Sequence, residues 1–352
     1  MSIMKKIIIS LSVLFGCSMA AWADLKINET TFPDEYFRNW ILAKDYGKDG
    51  VLTEEEIAGV TKITLTTNKI QSLKGIEYFT ELTSLIVQLA PITEIDVSKF
   101  TKLTHLECAW TQITELDVSK NTELRELHCQ DNLLTNLDIS NNTALTTLSC
   151  NSNKLTSLDI SNNSELTVLS CSYNQLTSLD VSKNTMLKRL ICLHNKLASI
   201  NVSGCTALES FRCSGNRLTE LDVSGCSQLE ELICMSNQIK GEAMDALVES
   251  LPTIRGFLGV INYYKNEQYD QDEQNVITKT QVAAAKAKGW YVRYNDSNNQ
   301  WRNYEGSDDT TPVISPLGET EEGVIYDLQG RKLLSKPARG IYIEDGKKKM
   351  VK

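Results

Sequence analysis

Histidine and glutamate side chains at two linked spacings could bind a zinc ion. His105 and Glu107 lie two residues apart, so they face the same side of a strand. The two residue types recur in reverse order 21 positions later, at Glu126 and His128. If neighbouring parallel strands are 21 residues apart, the four side chains form a patch with sides of roughly 5–7 Å, which suits imidazole and carboxylate ligation of zinc. Ion pairing between histidine and glutamate on a solvated face explains the same patch without a metal.

The segment from Asp45 to Glu56 carries oxygen atoms at the spacing of a twelve-residue calcium-binding loop. The ligand positions would be filled by Asp45, Asp49, the carbonyl of Val51, Thr53 and Glu56. The segment resembles the loops of EF-hand and dockerin proteins, which implies a structural calcium ion. Gly47 stands where a further ligand belongs, so one ligand is missing. Thr53 and Glu56 also form a capping-box pattern for a following helix, which needs no ion.

Cysteine is another chemically reactive residue that recurs at a regular spacing. Seven cysteines follow one another at intervals of 21 residues. If neighbouring strands are also 21 residues apart, these side chains lie parallel to one another and cannot adopt the dihedral angle that a disulfide requires, so we expect buried thiols. A second pair, Cys205 and Cys226, is also 21 residues apart, and its spacing allows either a disulfide or two free thiols. The regular set comprises Cys108, Cys129, Cys150, Cys171, Cys192, Cys213 and Cys234.

A 21-residue repeat must position all of these residues. Its first leucine recurs at Leu82, Leu103, Leu124, Leu145, Leu166, Leu187, Leu208 and Leu229. The phrase L-x-x-L-x-C-x-x-N-x-L resembles leucine-rich repeats, specifically the cysteine-ladder variety of internalin-like bacterial surface proteins. The resemblance implies an α/β repeat fold, a solenoid with a parallel sheet on its concave face. It also implies adhesion or recognition of host proteins.

Two polar residues also recur in the repeat. Aspartate followed two residues later by serine is ordinary turn chemistry, so we expect the aspartates to cap turns on the convex side. Asparagine should end each strand, with its amide bonding backbone groups of the turn and of the next unit. The asparagines are Asn132, Asn153, Asn174, Asn195, Asn216 and Asn237. The aspartates are Asp96, Asp117, Asp138, Asp159, Asp180 and Asp222.

Composition shifts divide the chain into six segments. The repeats lie between two small caps that contain helices, because the ends of a solenoid must be covered. The segments are a signal peptide (1–23), a helical cap (24–59), the solenoid (60–240), an α/β cap (241–304), a linker (305–319) and a small β-domain (320–352).

Both termini predict export. Lys5, Lys6 and an apolar run before Ala21-Trp22-Ala23 are typical of a secretory signal peptide, with Cys17 as an alternative lipid-attachment site. The glycine-punctuated strands of residues 324–348 resemble the C-terminal sorting domain of type IX secretion cargo. That resemblance implies outer-membrane secretion machinery as a partner and a secreted or cell-surface location. A small β-domain without an export role is the alternative.

The sheet face is the expected binding surface, for a protein or glycan ligand. No catalytic motif is present, so we expect no enzyme, and the net charge of −9 argues against nucleic acid as a partner. A metal-dependent or enzymatic site and a structural spacer are the alternatives, and we expect a monomer. Aromatic, apolar and arginine side chains without a core to fill mark the surface. They are Trp110, Tyr173, Arg189, Ile191, Leu193, Arg212, Ile233 and Met235.

Overall fold

The computed structural model describes residues 24–263 and 273–308, together with four short strands between residues 325 and 351. The predicted signal peptide, the alternative lipid-attachment site and most of the predicted linker lie outside the described residues. None of the helices in the described part of the chain is long and apolar enough to cross a membrane.

A small cap precedes the repeats. Strand β1 (Leu25–Lys26) pairs antiparallel with β2 (Val51–Leu52), and helices α1 (Glu35–Leu42) and α2 (Glu54–Gly59) flank the second strand. One oxygen of Asp34 accepts the Phe37 N–H at the start of α1, as expected of an N-cap residue. Its other oxygen accepts the N–H groups of residues 71 and 72, which ties the cap to the first repeat.

Nine repeat strands then form one parallel sheet in sequence order. The strands are β3 (Lys62–Thr66), β4 (Ser84–Gln88), β5 (His105–Glu107), β6 (Glu126–His128), β7 (Thr147–Ser149), β8 (Val168–Ser170), β9 (Arg189–Ile191), β10 (Ser210–Arg212) and β11 (Glu231–Ile233). From β4 to β11, residues 21 apart pair across neighbouring strands, as Leu106 pairs with Leu127, so the repeat period is also the register of the sheet; between β3 and β4 the paired residues are 22 apart. In the three-residue strands β5 to β10 the middle residue is buried and its two neighbours face outward, and the five-residue strands β3 and β4 alternate in the same way, which confirms the predicted alternation.

An inner row of buried asparagines joins each turn to its neighbour. The Asn174 amide donates to the carbonyls of Cys150 and Cys171 at 3.0 and 3.1 Å, and its oxygen accepts the Leu155 N–H at 3.0 Å. The expected role is therefore confirmed, but the partner unit is the preceding one and not the next one. A buried backbone group without a partner costs about 1–3 kcal/mol, so each asparagine is important to its rung.

A second row of asparagines lies buried on the return side. The Asn142 amide donates to the carbonyls of Val118 and Asn121 at 3.0 and 2.8 Å, again in the preceding unit. Cys205 and Cys226 occupy this position in later units, where Sγ lies 3.7 Å from the Val181 carbonyl and 3.5 Å from the Val202 carbonyl. The row consists of Asn121, Asn142, Asn163 and Asn184.

All nine described cysteines are buried free thiols. Burial raises the pKa of Cys108, Cys150 and Cys192 to about 12, because a thiolate inside the apolar core would lose its hydration. The pair Cys205 and Cys226 is also free, and burial raises the two pKa values to about 11 and about 12. The cysteines therefore pack as small apolar side chains.

The C-terminal cap extends the same sheet. Helix α3 (Glu242–Ser250) leads to strand β12 (Gly256–Asn262), and helix α4 (Lys279–Ala287) leads to β13 (Trp290–Asn295). Both strands continue the parallel sheet, and β14 (Trp301–Asn303) closes its edge in the antiparallel direction.

Glu273 connects this cap to the last repeat. Its carboxylate accepts the N–H groups of Ser236, Asn262 and Asn275, each at 2.8 Å. Burial raises the pKa of Glu273 to about 7, although these backbone hydrogen bonds act in the opposite direction.

Four strands near the C-terminus form a separate antiparallel sheet. They are β15 (Ile325–Tyr326), β16 (Lys332–Leu333), β17 (Gly340–Glu344) and β18 (Lys347–Val351), in the order β16-β15-β17-β18. The strand character agrees with the predicted β-domain, and its sorting role stays a prediction.

Substituting Asn174 by alanine should destabilise the solenoid by about 3 kcal/mol, because several buried backbone groups lose their partner. Asn162→Ala is the matched control, since this exposed side chain donates only one hydrogen bond of 3.2 Å, and it should cost less than about 0.5 kcal/mol. Urea unfolding followed by circular dichroism measures both. Equal midpoints for the two variants would contradict the role given to the inner row.

Titration of Glu273 should lower stability as pH rises. Between its ordinary pKa of 4.5 and the folded value of about 7, the unfolded chain loses this proton while the folded chain retains it. The wild type should therefore lose up to about 3 kcal/mol across this window relative to Glu273→Gln, which resembles the protonated acid. Urea midpoints measured from acidic to neutral pH test this difference. Parallel curves for the two proteins would contradict it.

Candidate functional site

The outward residues of the repeat strands form two rows across the sheet face. Strand register places equivalent residues of successive units side by side, at a strand spacing of about 4.8 Å. The first row contains Ser84, His105, Glu126, Thr147, Val168, Arg189, Ser210 and Glu231. The second contains Ile86, Glu107, His128, Ser149, Ser170, Ile191, Arg212 and Ile233.

A third row, at one edge of this face, has left-handed backbone geometry in the eight units of strands β4 to β11. It lies just beyond the strands, and in most units its residue directly precedes the inner asparagine. A left-handed conformation costs a non-glycine residue about 1–2 kcal/mol, yet only Gly215 among these positions is glycine. The others are Leu89, Trp110, Asp131, Ser152, Tyr173, His194 and Ser236, with φ between 49° and 61°.

Leu89 and Trp110 are the most exposed large apolar side chains of this row. They occupy the same position in neighbouring units and are 50% and 49% exposed. Trp110 was among the predicted contact residues, whereas Leu89 was not. Its position 21 residues before Trp110 was the available signal.

Tyr173 and His194 form a stacked pair further along the same row. Their rings are 4.7 Å apart with an angle of 16° between their planes. A side chain at residue 215 would meet the imidazole of His194, since a Cβ there would lie 2.5 Å from Nδ1. Gly215 therefore makes room for the ring while also adopting its left-handed backbone without strain.

The two predicted arginine anchors differ in their surroundings. Arg212 makes a two-pronged ion pair with Glu231, with both N···O distances at 2.9 Å. Burial alone would raise the pKa of Glu231, but hydrogen bonds from Arg212 and Ser210 outweigh it and lower the value. Arg189 is exposed and forms no ion pair with any residue that the structure describes. Arg189 is therefore the arginine available to a partner.

The apolar residues predicted near the C-terminal end are less exposed than expected. The expectation that Ile233 is exposed is wrong, because it is only 8% accessible. It pairs with Gly259 of β12, and the Trp301 ring lies over that glycine, 2.8 Å from where a Cβ would stand. Ile191, Leu193 and Met235 are half-buried.

Three of the four predicted zinc ligands come together. His105 Nδ1 lies 2.9 Å from Glu126 Oε2, and His128 Nε2 lies 3.9 Å from the same oxygen. One ligand atom from each residue falls within 4.8 Å of the other two. Glu107 does not join this group, because its carboxylate accepts a hydrogen bond from Gln88.

The predicted calcium ligands do not converge as placed. The carboxylate of Asp45 pairs with Lys48, and Asp49 accepts the Val51 N–H at 3.0 Å. Glu56 Oε2 accepts the N–H and the hydroxyl of Thr53, both at 2.8 Å, which completes a capping box for α2.

Gly47 explains the missing calcium ligand. A Cβ at this residue would lie 2.4 Å from the Ile41 carbonyl, so close packing excludes any ligand side chain there. The observed contacts of Thr53 and Glu56 are those of a capping box, and calcium binding stays a prediction.

The convex aspartates cap turns as expected. Asp138 accepts the Ser140 N–H at 3.0 Å, and the other members make equivalent bonds to the serine two residues later. Hydrogen bonds from Ser140 hold the pKa of Asp138 below its ordinary value. The prediction of turn chemistry on this side is confirmed.

Melting temperatures with and without calcium separate the two explanations of the loop at residues 45–56. A bound ion should raise the melting temperature at millimolar calcium, and Asp45→Ala combined with Glu56→Gln should abolish the increase. A capping box alone gives no calcium effect, and Glu56→Gln then changes stability little in either buffer, because glutamine can complete a capping box as Gln281 does at the start of α4. Asp49→Asn serves as the control, since it removes a predicted ligand charge and leaves the capping box intact.

Solved structures that resemble this chain include three bacterial proteins. The functional domain of InlJ from Listeria monocytogenes, which includes a cysteine ladder, is 28% identical, and the match covers 77% of this chain and 67% of that one with a TM-score of 0.56. The L. monocytogenes internalin InlF is 24% identical over 79% of this chain and 92% of its own, with a TM-score of 0.56. A leucine-rich-repeat protein of Leptospira interrogans is 22% identical over 68% and 62%, with a TM-score of 0.54.

No protein-family model and no curated protein matches the sequence. The resemblance therefore rests on the repeat and on the structures. The chain is a leucine-rich-repeat solenoid built from 21-residue units with one parallel sheet, and internalins are among its structural neighbours.

Proposed function

We propose that this chain is an exported repeat protein that binds another protein along the sheet face and its left-handed edge. The observation that carries the proposal is the left-handed row. Glycine would satisfy the backbone at each of these positions, but the chain places leucine, tryptophan, tyrosine and histidine there. Conformational strain that is retained at exposed side chains points to a use for those side chains.

The chemistry of the row fits a protein partner. Leu89 and Trp110 offer neighbouring apolar surface, and aromatic side chains are enriched at the centres of protein interfaces. Arg189 adds an exposed positive charge on the adjacent face, and arginine is a frequent hot-spot residue. The proposed partner therefore presents an apolar patch and an acidic group.

Binding rather than catalysis is proposed because the described cysteine thiols are inaccessible. All nine described cysteines are buried, and burial holds their thiols protonated near neutral pH. The export part of the proposal rests on the N-terminal signal pattern and on the C-terminal resemblance to type IX cargo. Cell fractionation of a strain that expresses the full chain, compared with a chain ending at residue 308, tests the sorting role.

Replacing Leu89 and Trp110 together by glycine should remove the partner and preserve the fold. Glycine adopts the left-handed conformation without strain, so stability should stay equal or rise by about 1 kcal/mol per site. Partner capture should fall at least about tenfold, as expected for loss of a central aromatic anchor. The measurement is a pull-down from host and bacterial surface extracts with mass spectrometry, together with urea unfolding of the same proteins.

Ser152→Gly is the matched control, because it makes the same backbone change at a position with a small polar side chain. Proteins captured by the wild type and by this control, but lost with the double variant, support the proposal. Protease treatment of the extract distinguishes a protein ligand from a glycan. Capture that survives the double substitution would move the interface away from this edge.

A further inference from the structure

We propose that His105, Glu126 and His128 bind one divalent transition-metal ion of the zinc class on the sheet face. The group comes from two neighbouring strands, β5 and β6, whose pairing sets His105 directly opposite Glu126. His128 lies two residues after Glu126 on the same strand, so both side chains project to the same side. The three ligand atoms therefore meet without any change in the backbone.

The distances suit a small ion after minor side-chain rotation. Zinc binds histidine nitrogen and carboxylate oxygen at about 2.0–2.2 Å, so tetrahedral ligand atoms lie roughly 3.3–3.5 Å apart. The observed separations from Glu126 Oε2 are 2.9 Å to His105 Nδ1 and 3.9 Å to His128 Nε2, one slightly short and one slightly long. Partial exposure of all three side chains leaves them room to adjust and leaves the ion a path of entry.

The ligand types select the class of metal. Two imidazoles and one carboxylate favour zinc and its neighbours over calcium or magnesium, which prefer oxygen alone. Three protein ligands leave the fourth position of a tetrahedral ion open to water. Glu107 stays outside this set, but it pairs with His128 in the sheet register, and its charge adds to the attraction for a cation.

An ordinary ion pair is the competing explanation of the same contacts. Exposed pairs of this kind contribute about 0–1 kcal/mol and need no metal, so the pair distance alone does not decide. The second histidine decides in favour of the metal, because His128 approaches the same oxygen as His105 and the two rings lie 5.7 Å apart. Two imidazoles directed at one carboxylate oxygen form a pocket for a cation.

Calorimetric titration of Zn²⁺ into the full chain, after removal of metal with a chelator, tests the proposal. The wild type should bind one zinc ion with micromolar affinity. His128→Ala and Glu126→Gln should each weaken binding by at least about tenfold, because each removes one of three ligands. His194→Ala is the matched control, since the third histidine lies outside the group, and its affinity should equal that of the wild type.

Cobalt provides a second readout that separates this site from the buried cysteines. Co²⁺ bound to histidine and carboxylate gives visible d–d bands without the near-ultraviolet charge-transfer band of a thiolate. The wild type should show the visible bands alone, and they should vanish in the Glu126→Gln variant. Absence of zinc binding by the wild type, binding that survives both ligand substitutions, or a thiolate band would overturn the assignment.

Discussion

The hydrogen bonds of the inner asparagine row are the constraint on which the rest of the structure depends. Each unit ends its strand with a turn whose carbonyls point into a dry interior, and water cannot reach them there. The amide of Asn174 donates to carbonyls in its own unit and in the preceding one, so it closes its own turn and ties it to the turn before. Because the same bond recurs at the same position, a local requirement becomes the register of the whole sheet.

That constraint also explains the strained edge. The residue before the inner asparagine adopts a left-handed backbone in most units, whatever its side chain. The frame therefore fixes the conformation and leaves the residue type free, and the energetic preference would be glycine. Residue 215 is glycine, in agreement with that preference. The ring of His194 occupies the space that a side chain at residue 215 would need. At the other positions the chain has larger residues, so the repeat sets the backbone conformation while the exposed surface sets the residue type.

Most of the frame could be predicted from the sequence because each feature depends on residues 2, 3 or 21 positions apart. Strand alternation, the buried cysteines, the inner asparagines and the capping box at Thr53 all follow from such spacings. The burial of Ile233 could not be predicted, since it pairs with Gly259 of β12, and Trp301 lies over that glycine from a distant part of the chain. The need for Gly47 was equally hidden, because it depends on the approach of the Ile41 carbonyl.

The site could be predicted only in part, because neighbours on the face decide what each side chain offers. Arg189 and Arg212 read alike in the sequence, yet Glu231 neutralises only the second. A neighbouring side chain also explains why only three of the four predicted zinc ligands come together, since Gln88 donates a hydrogen bond to Glu107. Single rows of a repeat therefore identify candidates, while contacts between the rows determine which candidates are available.

The fixed register also sets the geometry that a partner must match. Trp110 belongs to the unit of strand β5 and Arg189 lies on β9, so four strand spacings of about 4.8 Å separate their units, about 19 Å in all. The intervening face carries the small side chains of Thr147, Ser149 and Ser170, which let a partner approach the sheet closely. A surface that places an apolar group at one end of such a span and an acidic group at the other would satisfy both anchors at once. The rigidity of the ladder makes that spacing a criterion for specificity, because neither anchor can shift by a rung without breaking the buried hydrogen bonds beneath it.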